Sequence, residues 1–149
     1  MLYLKEVKRT PLLMATRSRI GIELKDGSIL SAYHHWDGYP EWLGRILRTH
    51  YKTRAKAAEL IDGGDMSCCW TDEKFRNADG IVENKAEYGP QYYSECGENC
   101  PPRLDANLIE YVGDGEEYAY LYTLKGEWVC YELHETPKIV EIPNGALMV

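Results

Sequence analysis

Two imidazoles, a carboxylate, two large aromatics and a helix-start signal fall within eight residues, His34-His35-Trp36-Asp37-Gly38-Tyr39-Pro40-Glu41. No other stretch of the chain is as dense in side chains able to bind or react. Neighbours along a strand point to opposite faces, so only one of His34 and His35 can join Asp37. A His35–Asp37 pair has the makings of an oriented general base, as in a small hydrolase or nuclease. With Asp65 or another histidine it would hold a metal. Neither reading has a second motif behind it, since the chain lacks H-E-x-x-H, a glycine-rich phosphate loop and G-x-S-x-G. Binding chemistry fits the same corner. Arg17, Arg19 or Arg45 would grip an anionic group, Trp36, Tyr39 or Trp42 would stack on a flat ring, and His35 and Asp37 would complete a pocket for a nucleotide-like ligand. A purely architectural role also fits, with Asp37 capping the next helix and Trp36 and Tyr39 joining the core.

The segments around the corner must place it. Arg19 to Leu24 alternates apolar and non-apolar residues as a half-buried strand does. Lys25-Asp26-Gly27-Ser28 reads as a hairpin turn of type I′, and Ile29 to His34 returns as a second strand. Pro40 and Glu41 suit a helix's first turn, and Leu43, Ile46, Leu47, His50 and Tyr51 share one helical face. Thr53 caps a second helix over 54–62, ended by Gly63-Gly64. Residues 65–107 show little periodicity and several Gly and Pro breaks, which predicts a long irregular loop. Within it, Asp72 to Arg76 could turn helically and Ala86 to Tyr93 could form a short strand. Leu108 to Val112 reads as a strand. Glu117 to Leu124 and Glu127 to Leu133 read as a second hairpin about Lys125-Gly126, and Lys138 to Ile142 as an edge strand. Alternation puts Tyr118, Tyr120 and Tyr122 on one face, expected to be an open tyrosine ladder with the opposite face packed on the helices. The expected fold is α+β: an antiparallel sheet from two β-hairpins, two helices on one face and a long irregular middle loop. One domain over 14–143 is expected, with the insert at about 65–107 and a tail at 144–149. Residues 1–13 read as an N-terminal extension, Met14 being an alternative start.

Composition narrows the function classes. A chain of 149 residues with 44% hydrophobic and 28% charged residues is an ordinary globular composition. The net charge of −7 conceals a split. Residues 1–60 hold 11 Lys/Arg against 6 Asp/Glu, net +5, and residues 61–149 hold 6 against 18, net −12. Direct nucleic-acid binding is disfavoured, because it needs a concentrated basic patch. An acidic half suits solubility or a basic partner. No run of about 18 apolar residues predicts a membrane span, and the N-terminus lacks a signal-peptide pattern. These features predict a cytoplasmic protein. Cys68, Cys69, Cys96 and Cys100 could in principle supply a zinc tetrad, but two adjacent cysteines do not readily turn to one ion. Reduced thiols are expected instead, a Cys96–Cys100 or longer-range disulfide being the alternative, with no metal and no cofactor.

The string Thr16-Arg17-Ser18-x-Ile20, then His35-Trp36-Asp37-Gly38-Tyr39-Pro40-Glu41, Gly44, Leu47 and Tyr51, resembles a family of small uncharacterised proteins of bacteriophages and prophages. Thr53-Arg54, Leu60-Ile61-x-x-Gly64-Asp65-x-Ser67, Glu117-Tyr118-x-Tyr120-Leu121-Tyr122 and Gly126-x-Trp128 extend the likeness over most of residues 15–133. The Cys- and Pro-containing middle departs from it. The resemblance implies a phage context and a host-cell cytoplasm, and it carries no activity. Together these features predict a non-enzymatic accessory protein of the host-takeover or anti-defence type. It would sequester a small anionic ligand at the HWDGYP corner, or mask a host protein through its acidic face and tyrosine ladder. The alternative is a His35/Asp37-dependent hydrolase or nuclease. Outward tyrosines would also suit a homodimer.

Overall fold

Alternating hydrophobicity and two Gly-centred turns build the sheet that carries the corner. In the computed structural model, which describes residues 15–69, 75–76, 82–83 and 90–145, β1 (Ser18–Glu23) and β2 (Ile29–His34) pair antiparallel with Ser18 opposite His34 and Glu23 opposite Ile29. Only Gly27 takes a positive φ in their turn, at 89°, and Leu24 N–H donates to Ser28 O at 2.8 Å. The turn is therefore not type I′. The Asp26 carboxylate accepts from Ser28 N–H and Oγ–H, holding Asp26 in an ordinary conformation. The second hairpin, β8 (Tyr118–Tyr122) and β9 (Trp128–Glu132), repeats the pattern with Gly126 at φ 82°.

Two helices follow the first hairpin. Pro40–Gly44 is wound as a π-helical turn that runs into α1 (Arg45–His50), and α2 (Arg54–Asp62) comes next. The Thr53 hydroxyl caps α2 by accepting from Lys56 N–H at 3.1 Å. Thr53→Ala should lower the unfolding free energy by about 1 kcal/mol, read as a shifted urea midpoint at unchanged slope.

The hairpins join side by side through β1 and β8, which run parallel. The sheet is consequently mixed rather than purely antiparallel within an α+β architecture that is otherwise as expected. Its order is β10 (Lys138–Val140), β9, β8, β1, β2, then β3 (Met66–Cys68) and β6 (Gln91–Tyr92), with β7 (Arg103–Asp105) also on β2. The irregular middle is thus stitched to the sheet by three short strands. Phe75–Arg76 (β4) pairs with Val82–Glu83 (β5), so residues 75–76 are strand where a helical turn was expected, and the rest of that turn, 72–74, lies outside the described residues. Of the predicted strand 86–93, only Gln91–Tyr92 is strand, residues 86–89 also lying outside them. The extension 1–13 with Met14, and tail residues 146–149, fall outside them too.

One sheet face packs on α1 and α2. Ile20, Ile22, Ala32, Tyr120, Tyr122 and Cys130 meet Leu43, Ile46, Leu47, Leu60 and Ile61 there, all buried. The tyrosine ladder is therefore turned inward. Tyr120 Oη–H donates to Gly38 O at 2.7 Å and Tyr122 Oη–H to Lys52 O at 2.9 Å. Each phenol spends its polar tip on a loop carbonyl, which lets large rings enter the core. The ladder's part of the expected masking surface, and the outward tyrosines that suggested a homodimer, go with it.

Residues Leu108–Val112 form a helix, α3, not a strand. Asn107 Oδ1 accepts from Glu110 N–H, and Glu110 Oε1 accepts from Ala106 N–H, at 2.9 and 3.0 Å. This reciprocal capping overrides the β-branched character of the short run. It drives the fully buried Tyr111 onto the opposite sheet face among Ile29, Ala119 and Leu121.

Candidate functional site

At the end of β2 the chain leaves the sheet and turns into the π-helical segment. Backbone bonds fix the path: His35 N–H donates to Met66 O, Trp36 N–H to Ser67 O and Gly38 N–H to Thr16 O, at 3.2, 2.9 and 2.9 Å. Asp37 has φ 58°, the one positive-φ non-glycine among the described residues. That conformation costs an L-residue about 1–2 kcal/mol, less for Asp than for most. Asp37 does not cap the helix. Tyr39 occupies the N-cap position and no side chain bonds the first turn.

Gly38 explains how tightly the corner is clamped. A Cβ there would lie 2.4 Å from Ser18 Oγ and 2.7 Å from Thr16 O. Ser18 is fully buried and Thr16 O is already held by Gly38 N–H, so neither can give way. Gly38→Ala should destabilise by about 1–3 kcal/mol through overpacking, visible as a lower thermal midpoint.

The two histidines separate as the pleat requires. His34 is fully buried on the helix side, its Nδ1 3.4 Å from Ser18 Oγ and its Nε2 without a hydrogen-bond partner. Burial lowers its pKa to about 3, keeping the ring neutral. His35 lies on the other side, where its Nδ1 pairs with Tyr33 Oη at 2.7 Å and its ring meets Trp36 edge-on at 4.7 Å between centroids. Desolvation pushes the Tyr33 phenol up to about 12. Asp37 has no hydrogen-bond or ion-pair partner among the described residues, so the His35–Asp37 dyad is not formed. Asp65 is spent on Tyr33 N–H at 2.9 Å.

The predicted anion-gripping arginines do not converge. Arg17 donates to Gly115 O and pairs with Glu117 at 3.5 Å. Arg19 is buried on the α3 side, its Nε–H donating to Ser31 Oγ at 2.9 Å. Arg45 reaches Asn144 O at 3.3 Å. What the corner leaves open is different. Trp36 is 46% exposed; Asp37, next in the chain, and Glu41, in the π-helical turn that follows, are exposed carboxylates with no cation partner among the described residues. Both charges act on Tyr39 between them, raising its phenol after desolvation has done so. Desolvation also raises the Asp37 carboxyl.

The four candidate zinc thiols do not converge either. Cys69 is buried in the helix-side core while Cys96 is exposed, and none of the four forms a disulfide. Burial pushes the Cys69 thiol up to about 12, away from the thiolate a metal needs. Among the described residues no three His, Cys, Asp or Glu side chains form a metal-binding group, and no helix is long and apolar enough to cross a membrane.

One polar cluster escaped the sequence reading. Arg103 on β7 pairs with Asp105 at 3.0 Å and with Asp114, beside the buried Arg19 and Ser31. Desolvation and the Asp114 charge raise the adjoining Glu116 carboxyl, whose Oε1 is buried without a partner. The alternation Arg103-x-Asp105 was its only signal, and a two-charge alternation within three residues is weak. Comparison with protein-family models, with curated proteins and with solved structures finds no match, so the geometry of the corner carries the functional argument.

Proposed function

We propose that this chain is a phage-encoded accessory protein that acts by binding, and that the HWDGYPE corner recognises a basic segment of a host protein. The observation that carries this reading is Trp36, half-exposed on a clamped corner next in the chain to the Asp37 carboxylate, which like that of Glu41 in the turn that follows has no cation partner among the described residues. An indole face attracts a guanidinium or ammonium by cation–π interaction, worth about 0.5–2 kcal/mol, and neighbouring carboxylates add charge-assisted hydrogen bonds. The backbone bonds at His35, Trp36 and Gly38 hold the corner ready, which lessens the ordering cost of association. The phage setting rests on the resemblance in that same block. Anion capture at this corner is less well supported, because Arg17, Arg19 and Arg45 are each bonded within the fold.

A labelled arginine-rich peptide at physiological salt tests the reading by fluorescence anisotropy. Glu41→Gln should weaken binding about tenfold, whereas Glu127→Gln, an equal charge change on the turn at the far end of the sheet, should weaken it less than twofold. Equal effects of the two would reduce the interaction to bulk charge and sink the proposal. Turnover of a phosphodiester or ester substrate that vanishes in His35→Ala would favour the hydrolase instead.

A further inference from the structure

At the other end of the π-helical turn and α1, a cleft of about 600 Å³ opens against β9 and β10. That volume is within the range of small-molecule sites, roughly 300–1,000 Å³. Its lining includes Arg48, Lys52, Glu127, Trp128, Val140 and Glu141.

Arg48 near the end of α1 and Lys52 just past it bring two cations to this space. The last carbonyls of a helix lack intrahelical donors, and basic side chains commonly meet them. Here two aromatic residues of the second hairpin meet the chain where it leaves α1. Trp128 Nε1–H donates to Tyr51 O at 2.7 Å, and Tyr122 Oη–H donates to Lys52 O. Arg48 makes one bond across the cleft wall, Nη1–H to Ile142 O at 2.7 Å. Its guanidinium keeps donors to spare, five being available. The Lys52 ammonium has no partner among the described residues. Two cations, an indole and two carboxylate acceptors therefore share one small-molecule-sized cleft.

We propose that this cleft binds a nucleoside phosphate. Arg48 and Lys52 would take the phosphate, with Arg48 presenting the planar fork that matches it. Trp128 offers apolar ring surface to the base. Glu127 and Glu141 can accept from the amino and imino N–H groups of the base edge, a demand that inorganic phosphate does not make. The site is separate from the HWDGYPE corner and does not depend on what that corner binds.

Isothermal titration of the full chain with AMP and GMP, and with adenosine, guanosine and inorganic phosphate as partial ligands, tests the assignment. At least one nucleotide should bind, and its nucleoside and phosphate alone should each bind at least tenfold more weakly. Lys52→Glu should weaken the nucleotide at least tenfold with an unchanged thermal midpoint, because Lys52 is exposed and its ammonium makes no hydrogen bond or ion pair among the described residues. Trp36→Ala should leave nucleotide binding intact, separating the cleft from the corner. No binding of either nucleotide at millimolar concentration would overturn the proposal. So would phosphate binding as tightly as the nucleotide, or Lys52→Glu leaving affinity unchanged.

Discussion

Acidification from pH 6.5 to 4.5 will lower the unfolding free energy with a slope approaching 1.4 kcal/mol per pH unit, and His34→Asn will flatten that slope. His34 is fully buried, and desolvation depresses its pKa from 6.5 in the unfolded chain to about 3 in the folded one. Between those values the unfolded state holds a proton that the native ring refuses. The contribution is complete above pH 6.5 and is lost progressively as pH falls toward about 3. Carboxylates begin to titrate toward the lower end of this window, so the difference between the parent and His34→Asn, not the total slope, isolates the imidazole. Asn keeps a polar atom near the Nδ1 position facing Ser18 Oγ but cannot gain a proton. The readout is the change of slope in urea melts at several pH values, which stands even if the variant is less stable overall. An unaltered slope in His34→Asn would mean that the acid sensitivity arises elsewhere.

Much of this molecule was legible because period and turn chemistry agreed. β2 and α2 lie where alternation and the Thr53 and Gly63 signals put them, since each pattern is long enough to be unambiguous. Short segments were harder. Leu108–Val112 is five residues of mixed propensity, and its Asn107-x-x-Glu110 capping pair was the signal that decides for helix. The tyrosine ladder shows a different limit. Alternation tells which residues share a face but not which face is covered, and polar tips suggest water. Tyr120 and Tyr122 enter the core because Gly38 and Lys52 carbonyls lie within reach, a long-range fact absent from local pattern. The corner was legible as a dense cluster, but the partners that claim Arg17 and Arg45 lie about 100 residues away in the chain. The cleft was invisible for the same reason, as Arg48 and Trp128 are brought together only by tertiary packing.

Trp36→Ala should reduce affinity for a basic segment by about 2 kcal/mol, some 30-fold, as truncation of an interface tryptophan does. The same change should alter stability by no more than about 0.5 kcal/mol if the indole serves the partner rather than the fold. Asp37→Gly separates the two roles still more sharply. The positive φ of 58° is strained for aspartate and free for glycine, so relief of strain offsets glycine's greater unfolded-state entropy. Stability should stay level or rise by up to about 1 kcal/mol, while binding of the arginine-rich peptide falls about tenfold. A carboxylate kept in an unfavourable conformation, with no partner among the described residues, is better explained by something it binds than by the fold it strains. The pH dependence follows the same logic. Desolvation raises the Asp37 carboxyl above its ordinary value, so peptide affinity should weaken as pH falls into the range where it protonates, and Asp37→Gly should abolish that part of the dependence. If Asp37→Gly binds as tightly as the parent while Trp36→Ala does not, recognition is aromatic alone and the carboxylate has no part in it.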